Sequence, residues 1–176
     1  HELFCEVPEL QNKPLKRKIW QTIEAYIFPK LKCVFTVNNT IAAIYSQKYG
    51  VKVQPVRNVP EQDVNNDFYM SKEKLGIAAD KKILLIQGAG INVDRGAEEL
   101  VSAMQYINNA LLMIVGDGDV LTSLKTMVQK SGLSDKVLFI NKVPFEELRA
   151  YTLLADLGIS LDKNSNLNYR YSLPNK

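Results

Sequence analysis

Histidine, tryptophan and cysteine are nearly absent: the 176 residues include one His, one Trp and two Cys. One histidine and two distant thiols, Cys5 and Cys33, lack the spacing of a zinc cluster or a disulfide framework. The expectation is therefore buried thiols in a reduced, cytoplasmic setting, with no metal and no resident cofactor. Long apolar runs are also missing. The longest, Ala110 to Val115, falls far short of the ~20 residues that a membrane-spanning helix needs. The first residues show no signal-peptide pattern. No Gly-Lys-Ser/Thr phosphate loop, zinc-finger spacing or aromatic RNA-binding signature occurs, so nucleic acid is not an expected partner. The chain opens at His1 and stops at Lys176 without a terminal helix, which reads as a piece of a longer protein.

What is there is an ordinary globular composition, 46% apolar and 23% charged. The net charge of +3 hides an asymmetry. Residues 1–60 hold nine Lys and Arg against four Asp and Glu, whereas residues 61–176 hold thirteen against fifteen. The surplus gathers at Lys13, Lys16, Arg17, Lys18, Lys30 and Lys32. A solvated helix face accounts for it, and so does peripheral attraction of residues 13–32 to an anionic membrane.

Periodicity organises the rest. Residues 13–28 read as a helix with Leu15, Ile19, Trp20, Ile23, Tyr26 and Ile27 on one side and Lys13, Arg17, Gln21 and Glu24 opposite. A short strand at 33–37, a helix from Asn38 or Asn39 to Gly50, and a strand at 51–56 follow. The polar stretch 61–67 marks a domain boundary. Beyond it, apolar strands at 82–87, 111–115, 136–143 and 157–161 alternate with helices beginning near Gly96, Val120 and Pro144. Continuous apolar strands between helices predict α/β architecture with a doubly wound parallel sheet, and the first sixty residues look like part of a second such unit. Ligands of such sheets lie at the carboxyl ends of the strands. Attention therefore goes to the loops 88–96, 116–119 and 143–145, and to Asp162 onward.

Gly88-Ala89-Gly90-Ile91-Asn92-Val93-Asp94-Arg95-Gly96 is the strongest local signal. Small residues allow backbone to approach a ligand, and the helix after the loop directs N–H groups at it, which favours phosphate. Arg95 at that helix start adds a forked donor. The loop departs from the dinucleotide fingerprint, because Val93 stands where the third glycine is needed. Asp117 and Asp119 suit a turn and helix cap better than a metal pair. Glu146 and Glu147 are adjacent and do not share a helix face.

The ordered set of His1-Glu2-Leu3-Phe4, Val37-Asn38, Val56 to Pro60, Gln87-Gly88 with Arg95-Gly96, Ile114 to Gly118, Val143-Pro144 with Glu147-Leu148, Ala155 to Ile159 and Ser172 to Lys176 resembles the GT-B fold glycosyltransferases of family 4, the group 1 glycosyltransferases. The resemblance implies two Rossmann-like domains facing across a cleft. Residues 1–60 would end the N-terminal, acceptor-side domain and include the linker. Residues 61–176 would form a C-terminal nucleotide-sugar-binding domain, incomplete at its end. It implies metal-independent transfer, with retention, from a nucleotide-diphosphate sugar to a saccharide or lipid-linked acceptor, in polysaccharide or cell-envelope synthesis at the inner face of the membrane.

Position by position, the resemblance places the donor diphosphate on Gly88, Ala89, Gly90, Arg95 and Gly96. Ala89 stands where the family usually has Arg, and Arg95 where it has Lys. Nucleotide and sugar would meet Gly116, Gly118, Val143, Pro144, Phe145, Tyr171, Leu173, Pro174, Asn175 and Lys176, with Tyr171 standing where the family often has Glu. His1 matches a donor-contacting catalytic histidine. Two other readings stay open on the residues: a sugar-nucleotide epimerase of similar architecture, and a non-catalytic nucleotide-binding α/β module.

Overall fold

The computed structural model describes residues 3–59 and 68–171. Two compact units form, one from the residues up to Glu61 together with those from Lys163 to Asn175, the other from Gln62 to Asp162.

The first unit opens with a single 3-10 turn, Phe4–Glu6, then α1 (Pro8–Gln11) and α2 (Pro14–Ile27). β1 (Val34–Thr36) and β2 (Val53–Pro55) pair in parallel around α3 (Asn39–Tyr49). Both ends of α3 follow from sequence. The Asn38 side chain accepts a hydrogen bond from Ile41 N at 2.8 Å, and Gly50 closes the helix in the left-handed region at φ 65°. Leu3, Val37, Ile41 and Tyr45 form the core.

α2 departs from expectation in orientation. Its length is as the periodicity predicts, but Glu24 is buried, Arg17 and Gln21 are half-buried, and Leu15, Ile19, Trp20, Ile23, Tyr26 and Ile27 are exposed. Specific bonds hold the polar side inward. Tyr49 donates to Glu24 Oε2 at 2.6 Å, and Arg17 reaches both Glu6 oxygens at 2.6 Å and the Cys5 carbonyl at 2.9 Å. Arg17 is thus neutralised and does not add to the basic surface. Burial, with Glu24 close by, pushes the Cys5 thiol up to about 12.

The second unit is a four-stranded parallel sheet. β3 (Lys82–Gly88), α4 (Ala97–Ala103), β4 (Ala110–Gly116), α5 (Leu121–Lys130), β5 (Val137–Asn141), α6 (Phe145–Leu154) and β6 (Leu157–Gly158) follow in order. The strands lie β5-β4-β3-β6. Alternation along them separates two cores. Ile86, Leu112 and Ile114 pack with Leu100, Val101 and Met104 of the α4 region and Leu124 and Val128 of α5. Ile83, Leu85, Met113 and Val115 pack with Tyr151 of α6 and with Ile77. Helices on both faces make the sheet doubly wound, as the apolar runs predict. Pro144 precedes α6 as its cap, with extended ψ of 154°, instead of occupying its first turn.

At the amino edge Asp156 ties β6 to β3. Its carboxylate accepts from Lys82 Nζ at 2.8 Å and from Ile83 N at 2.9 Å, and its own N–H donates to Ile83 O at 2.9 Å. These bonds, Lys82 foremost, hold its carboxyl below the usual range. The β6 ladder is shorter than the predicted 157–161, because Ser160 to Asp162 turn away to pack at the end of the Gly88–Gly96 loop.

The last described residues carry α7 (Leu167–Arg170), and they belong with the first unit. Leu3 N donates to buried Asn168 Oδ1 at 3.2 Å, and Asn38 Nδ2 donates to Tyr171 O at 2.8 Å. The compact units therefore divide the chain differently from a single cut at residue 60. Residues 163–171 return to the first unit instead of completing the second.

Candidate functional site

The strand order places the site. β4 and β5 build outward from one side of β3, while β6 arrives on its other side after α6 crosses to the opposite face. The order reverses at β3, and a crevice opens outside the carboxyl ends of strands at such a point. The loop 88–96 leaves β3 there, flanked by 116–119 after β4, 142–145 after β5 and 159–162 after β6.

Two of these loops are joined by backbone. Ile91 N donates to Asp117 O and Asp117 N to Gly88 O, both at 3.0 Å, and Asp119 N donates to the Asn92 side chain at 3.1 Å. This closeness explains the glycines. A Cβ at Gly118 would overlap the Ile91 carbonyl and lie 2.6 Å from the Ile91 nitrogen. A Cβ at Gly116 would overlap the Gly88 carbonyl, its register partner across β3 and β4. Protein fills the space that a side chain would take at both positions. Gly96 combines φ 77° with a Leu161 carbonyl oxygen 2.5 Å from where a Cβ would sit. Gly90 differs. It has no left-handed φ, and a Cβ there would meet only the Asn92 side-chain nitrogen at 3.9 Å. Asp117 Oδ1 accepts from Gly118 N at 2.8 Å, which gives that acid a turn role.

Arg95 sits at the start of α4, and it is not a bare cation. Its Nη1 lies 3.0 Å from Asp162 Oδ2, with the side chains 25% and 12% exposed. The pair lines a narrow crevice with Gly90, Ile91, Ala97 and Ser160. Sequence reasoning named the loop after β6 but missed Asp162 as a partner. The available signal was an acid at the end of a strand adjacent to the Arg95 loop. α4 itself carries Glu98 and Glu99 in its first turn, suited to the helix dipole.

A second, open hollow of about 200 Å³ is lined by Gly88, Ala89, Val115, Gly116, Lys142, Val143, Phe145 and Leu148. Five residues named from sequence for two different subsites meet here: Gly88, Ala89, Gly116, Val143 and Phe145. Phe145 is 78% exposed at the head of α6, so a ring face is open for stacking. Lys142, exposed at the rim, supplies a cation that sequence reasoning did not single out. Pro144 is exposed beside it.

Tyr171 lies elsewhere, against the core of the first unit. His1, Leu173, Pro174, Asn175 and Lys176 lie outside the described residues. Among the described residues no three His, Cys, Asp or Glu side chains gather as a metal site, and no helix is long and apolar enough to cross a membrane.

The comparisons with known proteins agree with this geometry. The sequence model of the family described as "Glycosyl transferases group 1" matches residues 68–162, just over half of the chain. An uncharacterized glycosyltransferase of Methanocaldococcus jannaschii is 30% identical over 91 residues, covering 50% of this chain and 23% of that protein. Among solved structures, sucrose-phosphate synthase of Thermosynechococcus elongatus superposes with a TM-score of 0.63 at 22% identity, over 80% of this chain and 37% of that one. Anabaena HepE, solved in complex with UDP and glucose, gives a TM-score of 0.59 at 15% identity, over 80% and 40%. The chain thus spans less than half the length of each of these proteins. The parallel α/β fold is that of the GT-B glycosyltransferases. The match across 68–162 takes in all four loops at the carboxyl edge, and the chain belongs to the group 1 glycosyl transferases.

Proposed function

We propose that residues 68–162 hold the donor site of a glycosyltransferase that moves a sugar from a nucleoside-diphosphate donor to a saccharide or lipid-linked acceptor in glycan synthesis. Gly90 carries the reading. Gly96, Gly116 and Gly118 are accounted for by backbone packing, whereas neither conformation nor space in the protein demands glycine at Gly90. Its backbone is left open at the carboxyl edge, in the crevice that Arg95 also lines, where a ligand can approach it. The diphosphate then lies along Gly88 to Gly90, with Arg95 as the nearby cation. The base lies in the hollow beside Val143, Pro144 and Phe145, with Lys142 at its rim.

The chemistry fits that arrangement. Glycosyl transfer builds positive charge at the anomeric carbon and negative charge on the departing diphosphate, so stabilising the diphosphate is the main electrostatic task. Here Arg95, Lys142 and loop amides supply it, without a metal ion and with retention of configuration as the proposed course. Asp162 compensates Arg95 in the structure, so Lys142 and backbone N–H groups take a larger share than the sequence alone suggests. His1 and Leu173 to Lys176 are proposed to contact donor or sugar in the complete protein, whereas Tyr171 packs on the first unit's core. Lys13, Lys16, Lys18, Lys30 and Lys32 are exposed and give the first unit an electrostatic attraction to anionic lipid, where a lipid-linked acceptor would reside.

The test is a thermal-shift and calorimetric panel of UDP, GDP, ADP and their sugar conjugates, with EDTA or with Mg²⁺. Selective stabilisation by one diphosphate in EDTA, abolished by Gly90→Val without loss of fold, is the expected result. Equal binding by wild type and Gly90→Val would overturn the assignment of the loop. Binding only with Mg²⁺ would overturn the metal-independent course.

A further inference from the structure

We infer, on the donor-site reading above, that Asp162 is a positioning residue acting through Arg95: its carboxylate holds the guanidinium at the crevice beside Gly90 and weakens retention of the nucleoside diphosphate left after transfer. Backbone contacts build the pair in from both sides. Arg95 N donates to Asn92 O at 3.2 Å, which turns the loop just before α4. On the other side Ile159 N donates to Leu85 O at 2.8 Å, and the Leu161 carbonyl oxygen lies 2.5 Å from where a Cβ on Gly96 would sit. Gly96 follows Arg95 and Leu161 precedes Asp162, so contact between these two backbones delivers both charges to one place. Arg95 Nη1 then meets Asp162 Oδ2 at 3.0 Å, with the side chains 25% and 12% exposed. Ion pairs between loose surface side chains contribute little, whereas this one is placed by the fold.

Charge makes that placement consequential. A bound diphosphate and Asp162 claim the same guanidinium and repel each other across it. The rest of the carboxyl edge adds to the effect. Loops 88–96, 116–119, 142–145 and 159–162 hold two cations, Arg95 and Lys142, against four acids, Asp94, Asp117, Asp119 and Asp162. Asp117 Oδ1 is turned to Gly118 N, whereas Asp162 is bonded to Arg95. The bound molecule also changes charge during the reaction. The terminal phosphate of a free nucleoside diphosphate has a second ionisation near roughly pH 6, which a sugar-conjugated phosphate lacks. The departing product is therefore about one charge more negative than the donor, and a fixed carboxylate repels it more.

An orienting role alone is the competing account, since a carboxylate also aims a guanidinium. The two differ in sign. Loss of an orienting partner loosens Arg95 and weakens diphosphate binding, whereas loss of an opposing charge strengthens it. The Gly96–Leu161 contact already joins the two loops, and acids outnumber cations at this edge, so the opposing charge is the larger effect.

The experiment is titration calorimetry of the complete protein and its Asp162→Asn variant with UDP, GDP and ADP and their glucose conjugates, in EDTA. The expected result is a roughly tenfold lower Kd of Asp162→Asn for the diphosphate that the wild type binds, the effect of one unit charge several ångströms away at intermediate dielectric. The gain is smaller for the sugar conjugate, and it narrows as NaCl rises to about 0.5 M. Damage to the fold lowers affinity, so a gain does not come from a structural defect. Asp162→Ser makes the same comparison should Asp162→Asn fail to fold. An unchanged or higher Kd in the variant overturns the inference and leaves the donor-site reading standing. A gain that salt does not reduce overturns the electrostatic role. Absence of binding by wild type and variant alike overturns the donor-site reading and the inference with it.

Discussion

Replacing Gly118 by Ala asks whether the two loops at the carboxyl edge are held by contact. The new Cβ would overlap the Ile91 carbonyl and stand 2.6 Å from the Ile91 nitrogen, and these are backbone atoms that cannot rotate aside. The loops must separate. Separation strains or breaks Ile91 N to Asp117 O at 3.0 Å and Asp119 N to Asn92 Oδ1 at 3.1 Å. Overpacking costs about 1–3 kcal/mol, and a net hydrogen bond contributes about 0.5–1.5 kcal/mol. A loss of roughly 2–3 kcal/mol follows if part of the strain is relieved by loop movement. For a unit of about 100 residues that corresponds to a Tm decrease of roughly 10–20 °C. Gly90→Ala is the matched control, with its nearest neighbour at 3.9 Å and no left-handed φ. It should change stability by less than about 0.5 kcal/mol. Calorimetry and urea titration of both variants read the difference directly. Equal stability of the two would refute the packing account of these glycines, and with it the argument that Gly90 is kept for a ligand.

Three further outcomes follow from other contacts. Arg95→Ala should destabilise the second unit by about 1–3 kcal/mol, because it removes the ion pair with a mostly buried Asp162, whereas Arg95→Ala combined with Asp162→Ala should recover part of that loss in a urea-denaturation cycle. Asp156 has a folded-state pKa below its unfolded value, so its contribution is present above the unfolded pKa and fades as pH falls through the folded one. The urea-midpoint gap between wild type and Asp156→Asn should therefore be widest near neutrality and close below about pH 4, and a gap independent of pH would contradict the ionic account. With its thiol pushed up to about 12, Cys5 should stay unreactive to a thiol reagent at pH 8 until the protein unfolds, whereas Cys33, half-exposed, should react in the native state. Equal native rates on mass-spectrometric mapping would refute this.

Much of the second unit was legible in sequence, because its signals act over a few residues. Continuous apolar runs at 82–87 and 111–115 specify strands buried on both faces, and Gly132 and Pro144 punctuate the helices between them. Asn38 and Gly50 cap α3 by bonds within three or four positions. The carboxyl-edge loops follow from that alternation, and Gly88, Ala89, Gly116, Val143 and Phe145 meet as the loop positions imply.

Other features depend on residues far apart, and no local pattern reports them. Amphipathic spacing established that α2 has an apolar side, but not which way that side turns; Glu24 with Tyr49 and Arg17 with Glu6 draw the polar side inward. The family resemblance placed Gly116 and Gly118 at the ligand, and the approach of Gly88 and Ile91 is what excludes a side chain there. Arg95 looked like an uncompensated cation until the chain brought Asp162 to it from 67 positions away. Residues 163–171 followed the second unit in sequence yet pack on the first, because Asn168 and Tyr171 find their hydrogen-bond partners at Leu3 and Asn38. Periodicity, caps and turn residues determine the kind and order of elements through local backbone and solvation energies. The partner of each charge, the direction of each face and the room at each glycine are set only when distant segments come into contact.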